Sequence, residues 1–142
     1  MITLQDLARI QQERLNFQNR LNDIGVTEEF ISELVETFYG KVRDDELLGP
    51  IFAAEIQDWA PHLAKMKAFW GTVILKKNLY SGKPLPAHQK LNDVTSEHFQ
   101  RWLQLFEETI RSISLNDEVS QVFMEPANRM AARIESAMGI GS

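Results

Sequence analysis

An all-α fold follows from three features of the 142-residue sequence. Apolar residues recur at three- and four-residue intervals over most of its length, and no stretch alternates apolar with polar as a half-buried strand would. Thr27, Asp58, Thr95 and Asn116, all of helix-starting type, each stand just before one of these periodic stretches. Glycine and proline fall between the stretches, at Gly25, at Gly49-Pro50 and from Gly82 to Pro86. There is no internal repeat and no low-complexity tract.

Composition narrows the function. Hydrophobic residues make up 44% and charged residues 25%, as in an ordinary globular domain. A chain of this length buries roughly 68–70% of its unfolded surface. The net charge of -5 argues against a nucleic acid partner, because binding a phosphate backbone needs clustered Lys and Arg. With no cysteine, disulfides, thiolate metal sites and Cys nucleophiles are excluded. The start, Met1 to Asp6, turns polar too early for a signal peptide, and no apolar run approaches a membrane span. A cytoplasmic location without a membrane partner is expected.

The elements follow in order. Residues 4–24 read as an amphipathic helix, with Leu4, Leu7, Ile10, Phe17 and Leu21 near one face and Gly25 as its stop. Gln and Arg interrupt that face, as in a helix that docks late or packs on a partner. Thr27 caps the second helix, with Glu28 and Glu29 in its positive first turn. It runs to about Arg43 and buries Phe30, Ile31, Leu34, Val35, Phe38 and Val42, with Tyr39 turned inward four residues after Val35. Asp44 to Pro50 reads as a tight connection, and Ile51 and Phe52 as bulky residues in a loop.

Asp58 caps the next helix, which tolerates Pro61 in its first turn and ends near Leu75. Trp59, His62, Leu63, Met66, Phe69, Trp70 and Val73 recur along it at helical spacing. A connector from Tyr80 to Leu91 follows, stiffened by Pro84 and Pro86, and it sets His88 on a short helical turn. Thr95 caps a helix from Ser96 to about Ile113, with Phe99, Trp102, Leu103, Phe106 and Ile110 inward. Asn116 caps the last helix, whose stripe is Val119, Val122, Phe123, Met130, Ile134 and Met138. Pro126 falls within that pattern and should kink or split it.

Common catalytic motifs are missing. Gly82-Lys83 runs into Pro84 with no glycine five residues upstream, so there is no P-loop, and GxGxxG, HExxH and GxSxG do not occur. No histidine has a glutamate three residues before it, which removes the Glu-x-x-His pattern of di-iron bundles. Three histidines remain. His98, in the first turn of a helix, suits a surface or capping role. His62 lies on an apolar stripe, as a core histidine or a functional one. His88 is either a turn residue or a ligand. Tyr39 and Trp102 carry polar tips on apolar stripes, and each tip needs a backbone carbonyl or a bound ligand.

Several elements occur in a telling order: Phe38-Tyr39-x-Lys41-Val42, Leu48-Gly49-Pro50-Ile51-Phe52, His62, Phe69-Trp70, Tyr80-x-Gly82-x-Pro84, Ala87-His88 and Trp102-Leu103-x-Leu105-Phe106-Glu107-Glu108. From about residue 27 to the C-terminus, this set resembles the group III truncated haemoglobins of bacteria. The resemblance implies a shortened globin, two helices over two, around haem b (iron protoporphyrin IX). It makes residues 1–25 an N-terminal helical extension and residues 26–142 the globin domain. His88 then matches the proximal iron ligand, and Tyr39, His62 and Trp102 match the distal positions beside the bound ligand. Phe52, Met66 and Phe69 would line the porphyrin, and Lys65 or Tyr80 would reach its propionates.

The implied function is binding of oxygen, carbon monoxide, nitric oxide or peroxide at a five-coordinate iron. Nitric oxide detoxification or peroxidase-like redox chemistry would be served by an unidentified reductase. The implied assembly is a monomer or weak homodimer. Two rivals stand beside this: iron ligated by His62 in the resting state, and a haem-free globin-like signalling or interaction module, against which His88 argues.

Overall fold

The computed structural model describes residues 1–75 and 94–139. These form six helices: α1 (Leu4–Asp23), α2 (Glu28–Asp44), α3 (Gly49–Glu55), α4 (Trp59–Leu75), α5 (Ser96–Ile113) and α6 (Asp117–Ala137), with no strand among the described residues. The proline-containing connector, and with it Tyr80 and His88, lies outside the described residues.

Local chemistry sets the ends. Thr27 Oγ1 accepts from the Phe30 N–H at 3.2 Å, Asn116 Oδ1 from the Glu118 N–H at 2.9 Å, and Asp58 Oδ1 from the Ala60 N–H at 3.3 Å. Each satisfies a donor the helix cannot pair internally. His98 serves its own helix, its Nδ1 accepting from the Thr95 N–H at 3.0 Å. Gly25, at φ +90, turns the chain after α1 so that the Val26 N–H reaches the Leu21 carbonyl at 2.8 Å.

Packing follows from the stripes. α2 packs on α4, α5 and α3, α5 packs on α6, and α6 reaches α4. The pairs α2–α4 and α5–α6 therefore stack two on two. Ile31, Leu34, Val35, Phe38 and Val42 of α2 are buried between the layers with Phe106, Ile110 and Phe123. Phe38 meets Phe106 edge-on at 5.0 Å between ring centroids, and Trp70 stacks on Phe106 at 5.1 Å. Burying each such side chain stabilises the fold by roughly 1.5–3 kcal/mol. Thr109 is buried among them because its hydroxyl donates to the Leu105 carbonyl at 2.7 Å.

Three expectations change. Ile51 and Phe52 are not in a loop; they lie in α3. The Asp45 carboxylate folds the preceding turn, Oδ2 accepting from the Leu47 and Leu48 N–H groups at 3.1 and 2.9 Å. This leaves Pro50 in a first turn that needs no proline N–H. Pro126 does not split the last helix: α6 runs unbroken through it, with Phe123, Met124, Ala127 and Ala131 buried on both sides. Packing on both flanks outweighs the one intrahelical bond that proline cannot make. Of the five residues read as the face of α1, only Leu21 is buried, whereas Leu4, Leu7, Ile10 and Phe17 are exposed. α1 is tied down near its C-terminal end, by Leu21 and by an Arg20–Glu118 ion pair of 2.7 Å.

Candidate functional site

Tyr39 is the centre of the site. Its place in the α2 stripe turns the ring inward, and only 5% of the residue is exposed. The ring meets His62 edge-on at 5.0 Å, Phe38 at 5.0 Å, Phe52 at 6.0 Å and Trp59 at 6.0 Å. Burial pushes the phenol well above its usual range. It therefore stays a neutral O–H donor at any ordinary pH.

Trp102 of α5 is half-buried and reaches the cluster through Phe38, whose ring lies 5.1 Å away at 84°. It also stacks on Phe106 at 5.0 Å. α4 carries Trp59, His62, Leu63, Met66, Phe69 and Val73 along one side. All are half-buried, while Trp70, Ile74 and Leu75 go deeper into the core. The structure thus brings His62 and Phe52 each into ring contact with Tyr39 and joins Trp102 to them through one phenylalanine. Met66 and Phe69 continue the same line, whereas Lys65 is exposed at its edge.

One carboxylate braces two walls of this site. Asp45 Oδ1 accepts from Arg101 Nε at 2.8 Å, while Oδ2 holds the turn leading to Phe52. Arg101 immediately precedes Trp102, so the pair fixes the approach of α5 to the α2–α3 corner. Gly49 completes that corner: a Cβ there would come within 2.8 Å of the Arg43 carbonyl oxygen. Sequence reasoning named none of Asp45, Arg101, Phe38 or Trp59 as site residues. An Asp two residues before Leu47-Leu48 was a legible turn signal. Its partner 56 residues away was not.

The residues suit a flat aromatic cofactor. A continuous apolar line on α4 is left half-buried, aromatic rings stand beside it, and the polar groups among them are an O–H, an imidazole and an indole. Among the described residues, no three His, Cys, Asp or Glu side chains gather to hold a bare metal ion. Haem needs no such group, since its porphyrin supplies four ligands and an axial imidazole completes the set. A cleft of about 300 Å³ lies elsewhere, where α1 meets α2, and no residue expected in the site lines it.

The family described as bacterial-like globin matches residues 19–136. The group 3 truncated haemoglobin ctb of Campylobacter jejuni is 37% identical over 117 residues, 80% of this chain and 91% of that protein. The group 2 truncated haemoglobin YjbI of Bacillus subtilis is 29% identical over 68% of this chain and 74% of its own length. The crystal structure of the group III truncated haemoglobin from Campylobacter jejuni superposes with a TM-score of 0.74, covering 79% of this chain and 91% of that one. The chain belongs to the bacterial-like globin family, among its group III truncated haemoglobins. Its cofactor is haem b, and it binds small gaseous ligands through that haem. No helix among the described residues is long and apolar enough to cross a membrane.

Proposed function

We propose that this protein holds oxygen tightly, with His88 as the proximal ligand of a five-coordinate iron and Tyr39, His62 and Trp102 as the distal groups. When bound, haem supplies the iron that takes up a diatomic ligand. The chain supplies the surroundings. Phe52, Met66 and Phe69 exclude water from the porphyrin they line, and Lys65 or Tyr80 would reach its propionates. A carbonyl that accepts from the other ring nitrogen of His88 would fix its tautomer.

The observation that carries the reading is the buried, neutral Tyr39 phenol, whose ring stands edge-on to His62. A hydrogen bond from such a donor to a ligand carrying partial negative charge is worth about 1.5–3 kcal/mol, or about ten- to a hundredfold in release rate. Three polar distal groups exceed what storage requires. The reading therefore includes nitric oxide detoxification or peroxidase-like turnover, in the cytoplasm, with a separate reductase restoring the ferrous state. Residues 1–25 are an extension to a globin domain of residues 26–142.

Replacing Tyr39 by Phe tests this. Stopped-flow measurement should show oxygen dissociation faster by about tenfold or more. An unchanged rate removes Tyr39 from the mechanism.

A further inference from the structure

Trp59 and Arg43 lie outside the set that the proposed function uses, yet they close around His62. Trp59 is the first residue of α4 and His62 stands one turn later. Helical side chains lean toward the helix N-terminus, so the His62 ring lies over the turn that Trp59 begins. The contacts agree: His62 meets Trp59 at 5.6 Å and 90°, and Tyr39 at 5.0 Å and 88°. The three rings form a closed triangle, with Tyr39 and Trp59 themselves 6.0 Å apart, and the imidazole stands nearly perpendicular to both.

The first residue of a helix has no preceding turn to hold its side chain. Arg43, from the last turn of α2, supplies that support. Its guanidinium carbon sits 4.7 Å from the centre of the Trp59 ring. A cation over an indole is attracted by the negative face of the ring, and this contact spans α2 to α4 across the α3 corner.

We propose that Arg43 and Trp59 are positioning residues that hold His62 against Tyr39 and so slow ligand entry past the imidazole. The inference rests on His62 being a distal residue, as proposed above. Turning His62 away from Tyr39 also breaks its contact with Trp59, and Arg43 restrains Trp59. Arg43 is exposed, so its replacement loosens the brace without opening the core.

The test compares wild type, Arg43→Gln and Arg43→Lys, each alone and with His62→Leu. The first readout is NMR of the His62 ring, before haem is added and in the ferrous carbonyl form. The ring protons of His62, displaced by the Tyr39 and Trp59 ring currents, should move toward unshifted positions in Arg43→Gln and stay in place in Arg43→Lys. The second readout is carbon monoxide association after flash photolysis. It should quicken by about two- to fivefold in Arg43→Gln, which is what a cation–π contact at an exposed site can hold back. Arg43→Lys should keep the wild-type rate, and Arg43→Gln should add nothing once His62 is Leu. Unmoved His62 resonances, an unchanged or lower rate, or the same acceleration without His62 overturns the proposal. A protein that takes up no haem defeats the functional reading, while the haem-free NMR comparison still decides the brace.

Discussion

Asp45 shows how one side chain serves both stability and the site. Its side chain is 8% exposed, yet it keeps its charge because four donors surround it: two backbone N–H groups and two guanidinium nitrogens of Arg101. Burial works against the charge, but the Leu48 N–H and Arg101 outweigh it and hold the carboxyl below its usual 3.8. A carboxyl with a lowered folded-state pKa contributes stability above the unfolded value. That contribution is lost as pH falls through the folded value. Asp45→Asn should therefore destabilise the protein by about 1–3 kcal/mol at pH 7, because Arg101 loses its partner. In urea titrations, the gap between wild type and variant should narrow as pH drops below about 4, near the unfolded carboxyl value. A gap that stays constant down to pH 2 would show that the carboxylate charge is not the cause.

At the scale of elements, the short α3 and the long α1 are opposites. α3 has seven residues and is held from outside, by the Asp45 turn and by the close approach at Gly49. Gly49→Ala should force apart the end of α2 and the start of α3. We expect a loss of about 1–3 kcal/mol by denaturant midpoint, with Phe52 displaced from Tyr39. A stability unchanged within about 0.5 kcal/mol would mean that the corner yields freely.

α1 has 20 residues but is anchored near one end. Deleting residues 1–16 should lower the thermal midpoint by no more than about 2–4 °C, because the residues removed are almost all exposed. A fall beyond about 10 °C would make α1 part of the core and end its reading as an extension. Period and caps made both long α2 and long α5 legible in the sequence, since each buries one stripe. α3 was not legible: seven residues give no period to read, and its cause is a carboxylate whose second partner lies 56 residues away.

Across the whole molecule, the two-on-two stack turns separate stripes into one site. Tyr39 was legible because its spacing from Val35 set its direction whatever packed against it. His62 and Trp102 were legible as polar tips on apolar faces. Their convergence followed from the family resemblance and not from periodicity, because it depends on Phe38 standing between Tyr39 and Trp102 and on where α4 crosses α2. Trp59 read as ordinary stripe, and Arg43 only as the end of a helix, until the fold placed one over the other. Periodicity reports which face a residue takes; it does not report which distant face it will meet.

The claim on which the rest depends is an iron held by His88 opposite these distal groups. A visible absorption spectrum of the haem-supplemented protein, ferric, ferrous and carbonyl-bound, tests it most directly when wild type is set beside His88→Ala. The account predicts a Soret band with a five-coordinate ferrous spectrum in the wild type and loss of that ferrous spectrum in the variant. A wild type with no Soret band, or a variant that keeps the five-coordinate histidine-bound spectrum, would contradict it.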